Sequence, residues 1–331
     1  MMNTIIGSFE KLETASLLIK AGEIVAFPTE TVYGLGADAF NPIACLKVFK
    51  VKGRPSDNPF IVHLDNIDDI YRVAKNPSKT VINLFEKFTP GPLTIVLQKK
   101  DEVPSIVTAG LNTVGVRIPN HPLALAFIRQ SETPIAAPSA NISGAVSPTT
   151  AMHVFEYLSG KIKLILDGGP SSTGIESTIL DMTKDIPVIL RPGSISRAEL
   201  LTVLSDVKNG YDVSNDRPLA PGMKYRHYAP SVPCVCTTSP ITAQAIYESN
   251  LSSNPVIIGA SDFITQCVKT LNMLNLGNTI KEHSARLYAY MKTAEKKYGY
   301  IIIEYFNNDD SGIYSGLNNR ILKACGGNIV L

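Results

Sequence analysis

The amino-acid sequence predicts a mixed α/β protein in two domains, and three observations carry that reading. Its 331 residues suffice for about two domains at roughly 150 residues each. Over the first two hundred residues, short apolar runs alternate with helical periodicity. Between Asp206 and Ser231 that pattern stops, Pro218, Pro221, Gly222 and Pro230 crowd together, and a second α/β set follows. The expected division is therefore a first domain over 1–205, a proline-rich connecting segment over 206–231 and a C-terminal α/β domain over 232–331. Apolar residues make up 44 % of the chain and charged residues only 18 %. That composition excludes disorder as its main character and implies extensive burial.

The elements follow in order. Phe9, Leu12, Ala15 and Ile19 recur at helical spacing, with Gly22 where a C-terminal glycine cap would sit. Ile24 to Phe27 reads as a buried strand stopped by Pro28. Asn41-Pro42 opens a helix, a cap residue followed by proline in the first turn, with Ile43, Leu46 and Phe49 on one face. Further strands are expected at Phe60–Leu64, Leu93–Leu97, Val114–Ile118, Leu164–Leu166, Thr178–Leu180 and Val188–Leu190. Helices are expected at Pro122–Arg129 and Thr149–Leu158. In the C-terminal part, Val256–Ile258 and Ile301–Ile303 read as buried strands, and Ser284–Lys297 and Leu317–Ala324 as helices.

Several function classes are excluded early. The net charge is +2 and no run of five or more basic residues occurs, so composition argues against a dedicated nucleic-acid binder and leaves room only for a brief, weak RNA contact. No apolar stretch approaches the roughly eighteen residues of a membrane span, and the first ten residues lack the pattern of a signal peptide. Cys45, Cys234, Cys236, Cys267 and Cys325 are scattered, and Cys234-Val235-Cys236 is not the C-x-x-C of a zinc or redox motif. Reduced thiols and a cytoplasmic location are expected. Phosphate-loop, dinucleotide, zinc-protease and serine-hydrolase motifs are all missing.

Polar density stands out instead. Pro28-Thr29-Glu30-Thr31-Val32-Tyr33-Gly34-Leu35-Gly36 directly follows a buried strand, and Lys52-Gly53-Arg54-Pro55 lies just past a helix end, with Asn58 and His63 downstream. A third cluster is Pro138-Ser139-Ala140-Asn141-Ile142-Ser143-Gly144. Singly, each reads as a capped turn, a dipole-satisfying cation or a hydrogen-bonded core histidine. Arg117 and Arg191, at the ends of apolar strands with few carboxylates nearby in sequence, need anionic partners. Together with Lys52 and Arg54 they make four cations suited to a polyphosphate.

Those segments, with Pro90-Gly91-Pro92-Leu93-Thr94, Arg117-Ile118-Pro119, Glu176-Ser177-Thr178 and Leu190-Arg191-Pro192-Gly193, resemble the YrdC-like family. Ala220-Pro221-Gly222-Met223-Lys224-Tyr225-Arg226-His227-Tyr228-Ala229-Pro230 resembles the linker of its long, two-domain form. The likeness is dense over residues 10–200 and general over the last hundred.

The resemblance implies a strongly twisted, mostly-β basin flanked by helices, then a smaller α/β (Rossmann-like) domain. The implied activity is synthesis of L-threonylcarbamoyladenylate and pyrophosphate from L-threonine, bicarbonate and ATP. ATP is a substrate, Mg²⁺ accompanies it, and a tRNA-modifying threonylcarbamoyl transferase acts downstream. By motif position, Thr31, His63, Arg117, Ala137 and Ser177 are implied to hold threonine. Arg54, Asn58, Thr113, Ser139, Asn141, Ser147, Arg191 and Tyr228 are implied to hold ATP. Lys52 and Arg54 are implied to act at the phosphates, and Leu219–Pro230 to cover the site; no metal ligands are assigned. The alternatives are an RNA-binding module, a carbamoyl-transferring enzyme sharing the domain, and a non-catalytic ligand sensor.

Overall fold

The computed structural model describes residues 3–210, 228–269, 271–307 and 313–331. Among these, eleven strands form one sheet and four form a second. The first sheet contains β1 (Ile5–Gly7), β2 (Val25–Phe27), β3 (Gly34–Asp38), β4 (Ile61–His63), β5 (Leu93–Gln98), β6 (Thr113–Arg117), β7 (Ile135–Ala137), β8 (Leu164–Leu166), β9 (Thr178–Asp181), β10 (Val188–Arg191) and β11 (Lys208–Asn209). Their spatial order is β1-β8-β2-β3-β7-β4-β6-β5-β9-β10-β11, with parallel and antiparallel pairs mixed. Around it lie α1 (Leu12–Lys20), α2 (Pro42–Lys52), α3 (Ile70–Val73), α4 (Lys79–Phe88), α5 (Pro122–Ser131), α6 (Ala151–Leu158) and α7 (Arg197–Leu200). The mostly-β basin with flanking helices is therefore present, and β11 extends it into the segment expected as linker.

Local chemistry explains the boundaries. Helix α1 stops because Gly22 adopts φ +72°, with Gly22 N–H bonded to the Ile19 carbonyl and Glu23 N–H to that of Leu18, the paired bonds of a Schellman cap. Helix α2 starts where the Asn41 side chain accepts from the Ile43 and Ala44 amides. Its expected apolar face is corrected: Ile43 and Leu46 are exposed, whereas Ala44, Cys45, Val48 and Phe49 are buried. Helix α2 packs against the glycine-bearing strand β3, and the close approach selects its small-residue face. Strand β3 was expected only as a polar turn, and α4, capped by Ser78, was not expected at all.

The second sheet contains β12 (Cys234–Thr237), β13 (Pro255–Gly259), β14 (Met273–Asn275) and β15 (Tyr300–Glu304), all parallel in the order β12-β15-β13-β14. Helices α8 (Pro240–Ser249) and α9 (Ser261–Thr265) cover one face through Ala243, Tyr247, Ile257, Phe263 and Ile302. Helices α10 (Ile280–Lys297) and α11 (Ile313–Ala324) cover the other through Leu287, Met291, Ile301, Ile303 and Leu317. This is a doubly wound α/β unit. Helix α10 begins four residues before the expected Ser284, at a Thr279–Glu282 capping box. No helix of the described residues is long and apolar enough to cross a membrane.

Candidate functional site

Strand register assembles the site. Parallel pairing of β4 with β6 sets His63 opposite Arg117, so both side chains leave the sheet on one face. Antiparallel pairing of β4 with β7 sets Ala137 opposite Ile61. An irregularity in the β9–β10 ladder between Ile189 and Arg191 re-aims Arg191 at the loop before β9. Its Nε and Nη2 donate to the Ser177 carbonyl, and Nη2 also to the Ser177 hydroxyl. That hydroxyl lies 2.8 Å from the Thr94 hydroxyl.

One cleft collects Thr31, Arg54, His63, Arg117, Ala137, Ser139, Ser177, Arg191 and Tyr228 on its wall. Five expected residues lie off that wall. Lys52 is buried, its ammonium gripped by the carbonyls of Ser139 and Asn141. Burial, and then the charge of Arg54, hold its pKa well below the usual lysine range. Asn141 donates to the carbonyls of Ile142 and Ala145 and accepts from the Ser139 hydroxyl. Ser147 donates to Glu176 at 2.6 Å. Asn58 is buried with its side-chain oxygen unpartnered, and Thr113 opens β6 opposite Gln98. The four cations thus separate: three arginines line the cleft, and Lys52 pins the loop that forms part of its wall.

The electrostatics are strongly biased. Arg117 is 4 % exposed, and its Nη2 lies 2.8 Å from Glu30 in an ion-pair contact without hydrogen-bond geometry. Its Nε donates to the Gly91 carbonyl at 3.3 Å. His63 is neutral: burial first, then the Arg117 charge, lower its pKa to about 3, and its Nδ1 faces the Ile135 carbonyl at 3.3 Å. Arg54 keeps Nε without a partner while Nη2 donates to the carbonyls of Asn58 and Pro59. A wall with three arginines, several hydroxyls and a neutral imidazole is suited to anions carrying donor groups.

Glu176 lines the cleft too; the sequence places it in the Glu176-Ser177-Thr178 motif but assigns it no role. Its Oε1 accepts from Ser147, and its Oε2 from Tyr288 and Arg320, each at 3.0 Å. Burial raises its pKa, but Arg320, Arg191 and the Ser147 bond outweigh it and hold the carboxyl below its ordinary value. Tyr288 and Arg320 come from α10 and α11, so the C-terminal unit fixes the wall of the cleft. A backbone contact makes this reach possible: a Cβ on Gly316 would stand 2.8 Å from the Gly193 carbonyl oxygen. One turn beyond Gly316, Arg320 also donates to the Pro192 carbonyl. No local signal in the sequence marks these partners.

Of the segment Leu219–Pro230, residues up to 227 lie outside the described residues. Tyr228 is buried on the cleft wall, its ring 5.7 Å from that of Tyr288, and the following Ala229 amide bonds the Gly144 carbonyl.

Comparisons with known proteins agree with this geometry. A family model described as "Telomere recombination", for Sua5, YciO and YrdC, matches residues 17–193. A second, described as the C-terminal domain of threonylcarbamoyl-AMP synthase, matches residues 195–326. A threonylcarbamoyl-AMP synthase of Bacillus subtilis is 40 % identical over 97 % of this chain and 94 % of its own. One of Pyrococcus abyssi is 39 % identical over 97 % and 95 %. A crystal structure of Pyrococcus abyssi Sua5 complexed with L-threonine superposes with a TM-score of 0.93 at 38 % identity, covering 99 % of each chain. The likeness therefore extends through the last hundred residues, which the motifs alone had matched only in general character. The chain belongs to the Sua5/YciO/YrdC family, in the two-domain form of the threonylcarbamoyl-AMP synthases, enzymes that transfer AMP.

Proposed function

We propose that the cleft converts L-threonine, bicarbonate and ATP into L-threonylcarbamoyladenylate and pyrophosphate. The observation that carries this reading is the wall itself: Arg117 beside neutral His63, with two further arginines, Arg54 and Arg191, on the same cleft. Arg117 takes the threonine carboxylate, and Thr31, His63, Ala137 and Ser177 surround the rest of the amino acid. Arg54, Ser139, Arg191 and Tyr228 take the nucleotide. Lys52, Asn58, Asn141 and Ser147 hold the nucleotide-side loops in place, and Thr113 acts from the edge of β6.

The threonine amine captures bicarbonate as a carbamate with loss of water. The carbamate oxygen then attacks the α-phosphorus, and the P–O bond to pyrophosphate breaks. No covalent enzyme intermediate is needed; positioning and charge neutralisation by the arginines lower the barrier. Mg²⁺ would come with the nucleotide and would help neutralise its phosphate charge. The described residues hold no group of three metal-ligating side chains, and both carboxylates at the site already face arginines. A tRNA-modifying threonylcarbamoyl transferase consumes the adenylate in the cytoplasm, with at most brief RNA contact by this chain.

Incubating the purified protein with ATP, threonine and bicarbonate is expected to give the adenylate by mass and equimolar pyrophosphate. Valine, which leaves the hydroxyl-binding groups unpaired, is expected to react far more slowly. ATP turnover that ignores threonine, or none at all, overturns the reading.

A further inference from the structure

The C-terminal unit has a cleft of its own, with a volume of about 560 Å³, in the size range of small-molecule sites. Its position follows from the winding of the sheet. The chain leaving β13 runs through α9 on one face towards β14. The chain leaving β15 runs through α11 on the opposite face towards β12. Between β13 and β15 the connections therefore diverge, which is where open α/β sheets place ligands, outside the carboxyl ends of the strands. Ala260, just after β13, donates its N–H to Glu304 at the end of β15 at 2.6 Å, tying the two lips of that crevice together.

The chemistry of the lining is one-sided. Glu304 and Asp262 both face the cleft, and no lysine or arginine does among the described residues. Burial, and to a lesser degree the Asp262 charge, raise the Glu304 carboxyl to about 7 against the lowering effect of the Ala260 N–H. His283 also lines the cleft and is 4 % exposed. Its Nε2 donates to the Gly277 carbonyl at 3.1 Å, and its ring stacks on Phe306. Its Nδ1 has no hydrogen-bond partner. Burial lowers the pKa of this ring, so Nδ1 presents a lone pair. Phe306 and Tyr314 add aromatic surface, which attracts cations. An anionic ligand finds no counter-charge here, and the described residues group no three metal-ligating side chains.

We propose that this crevice binds a small organic ammonium ion, whose N–H donors meet Glu304, Asp262 and His283 Nδ1 while its carbon skeleton lies on Phe306 and Tyr314. The site is separate from the adenylate-forming cleft and does not depend on the reaction assigned there.

Calorimetric titration of the full chain with tyramine and with butylamine tests it. At least one amine is expected to bind saturably, and Asp262→Asn and Glu304→Gln are each expected to weaken it at least tenfold while adenylate formation without amine stays unchanged. Should Glu304→Gln fail to fold, Asp262→Asn carries the test, because its carboxylate caps only the adjacent Phe263 amide. Failure of both amines to saturate in the millimolar range overturns the proposal. So does equal binding of the uncharged isostere 4-(2-hydroxyethyl)phenol, or binding indifferent to both substitutions.

Discussion

Two buried arginines serve the main cleft in opposite ways. Arg320 is 0 % exposed and spends its donors within the protein, on Glu176 and on the carbonyls of Pro192 and Gly316. It stands behind the wall and joins the C-terminal unit to it. Arg117 is nearly as buried, yet it lines the cleft and leaves Nη2 without a hydrogen bond, in ion-pair contact with Glu30 only. Neighbouring carboxylates show the same contrast: Glu176 accepts from three side chains, whereas neither oxygen of Glu30 accepts any hydrogen bond. A saturated buried charge is part of the scaffold, and an unsaturated one beside a cavity is held ready for a ligand.

Four changes would break or sharpen that contrast. The largest loss of stability is expected from Arg320→Ala, which leaves Glu176 charged, buried and short of its cation. Removing one partner of such a pair costs about 3–5 kcal/mol, to be read by denaturant unfolding. Next, Arg117→Lys keeps a positive charge beside Glu30 but loses the planar fork for a carboxylate. It is expected to lower kcat/KM for threonine about a hundredfold, roughly 2.7 kcal/mol, with an unfolding free energy reduced by much less than in Arg320→Ala. If Arg117→Lys destabilises as severely and leaves the kinetics alone, the distinction between the two arginines fails.

A smaller effect is expected from Tyr288→Phe, which removes one hydrogen bond to the Glu176 carboxylate. A bond to a charged group contributes about 1.5–3 kcal/mol, so thermal unfolding should show a loss below that of Arg320→Ala. Read per pH unit, the smallest effect is at His63. Its folded pKa of about 3 lies below the ordinary value of 6.5. In that window the unfolded chain binds the extra proton, so stability is full above pH 6.5 and falls as pH drops towards 3. One such group contributes a slope of about 1.4 kcal/mol per pH unit. His63→Asn should flatten the acid limb of the stability profile by that amount; an identical acid limb would show that another group carries it.

Much of the molecule was legible before any coordinates, because the signals were local. Asn41-Pro42, Gly22 and the apolar runs mark their elements through capping geometry and residue shape, which depend only on neighbouring residues. Three of the four cations expected near ligand do line the cleft, because hydroxyls, glycines and arginines at strand ends are conspicuous in a chain with so few charges. Misreadings came where periodicity underdetermined the face. Ile43 and Leu46 formed a plausible apolar stripe, but contact with β3 chose Ala44, Cys45 and Val48.

By itself the sequence determined that this is a two-part α/β chain with a polar, arginine-bearing site in its first two hundred residues. Composition and short-range backbone preferences suffice for that much. Tertiary structure alone decided which charges are spent. Lys52 and Arg54 are two residues apart, yet one grips backbone carbonyls and the other lines the cleft. Glu176 meets Arg320 across 144 positions of chain. Pairing a buried charge depends on which distant donor the packed backbones bring within about 3 Å, and here that was settled by Gly316 lying against Gly193.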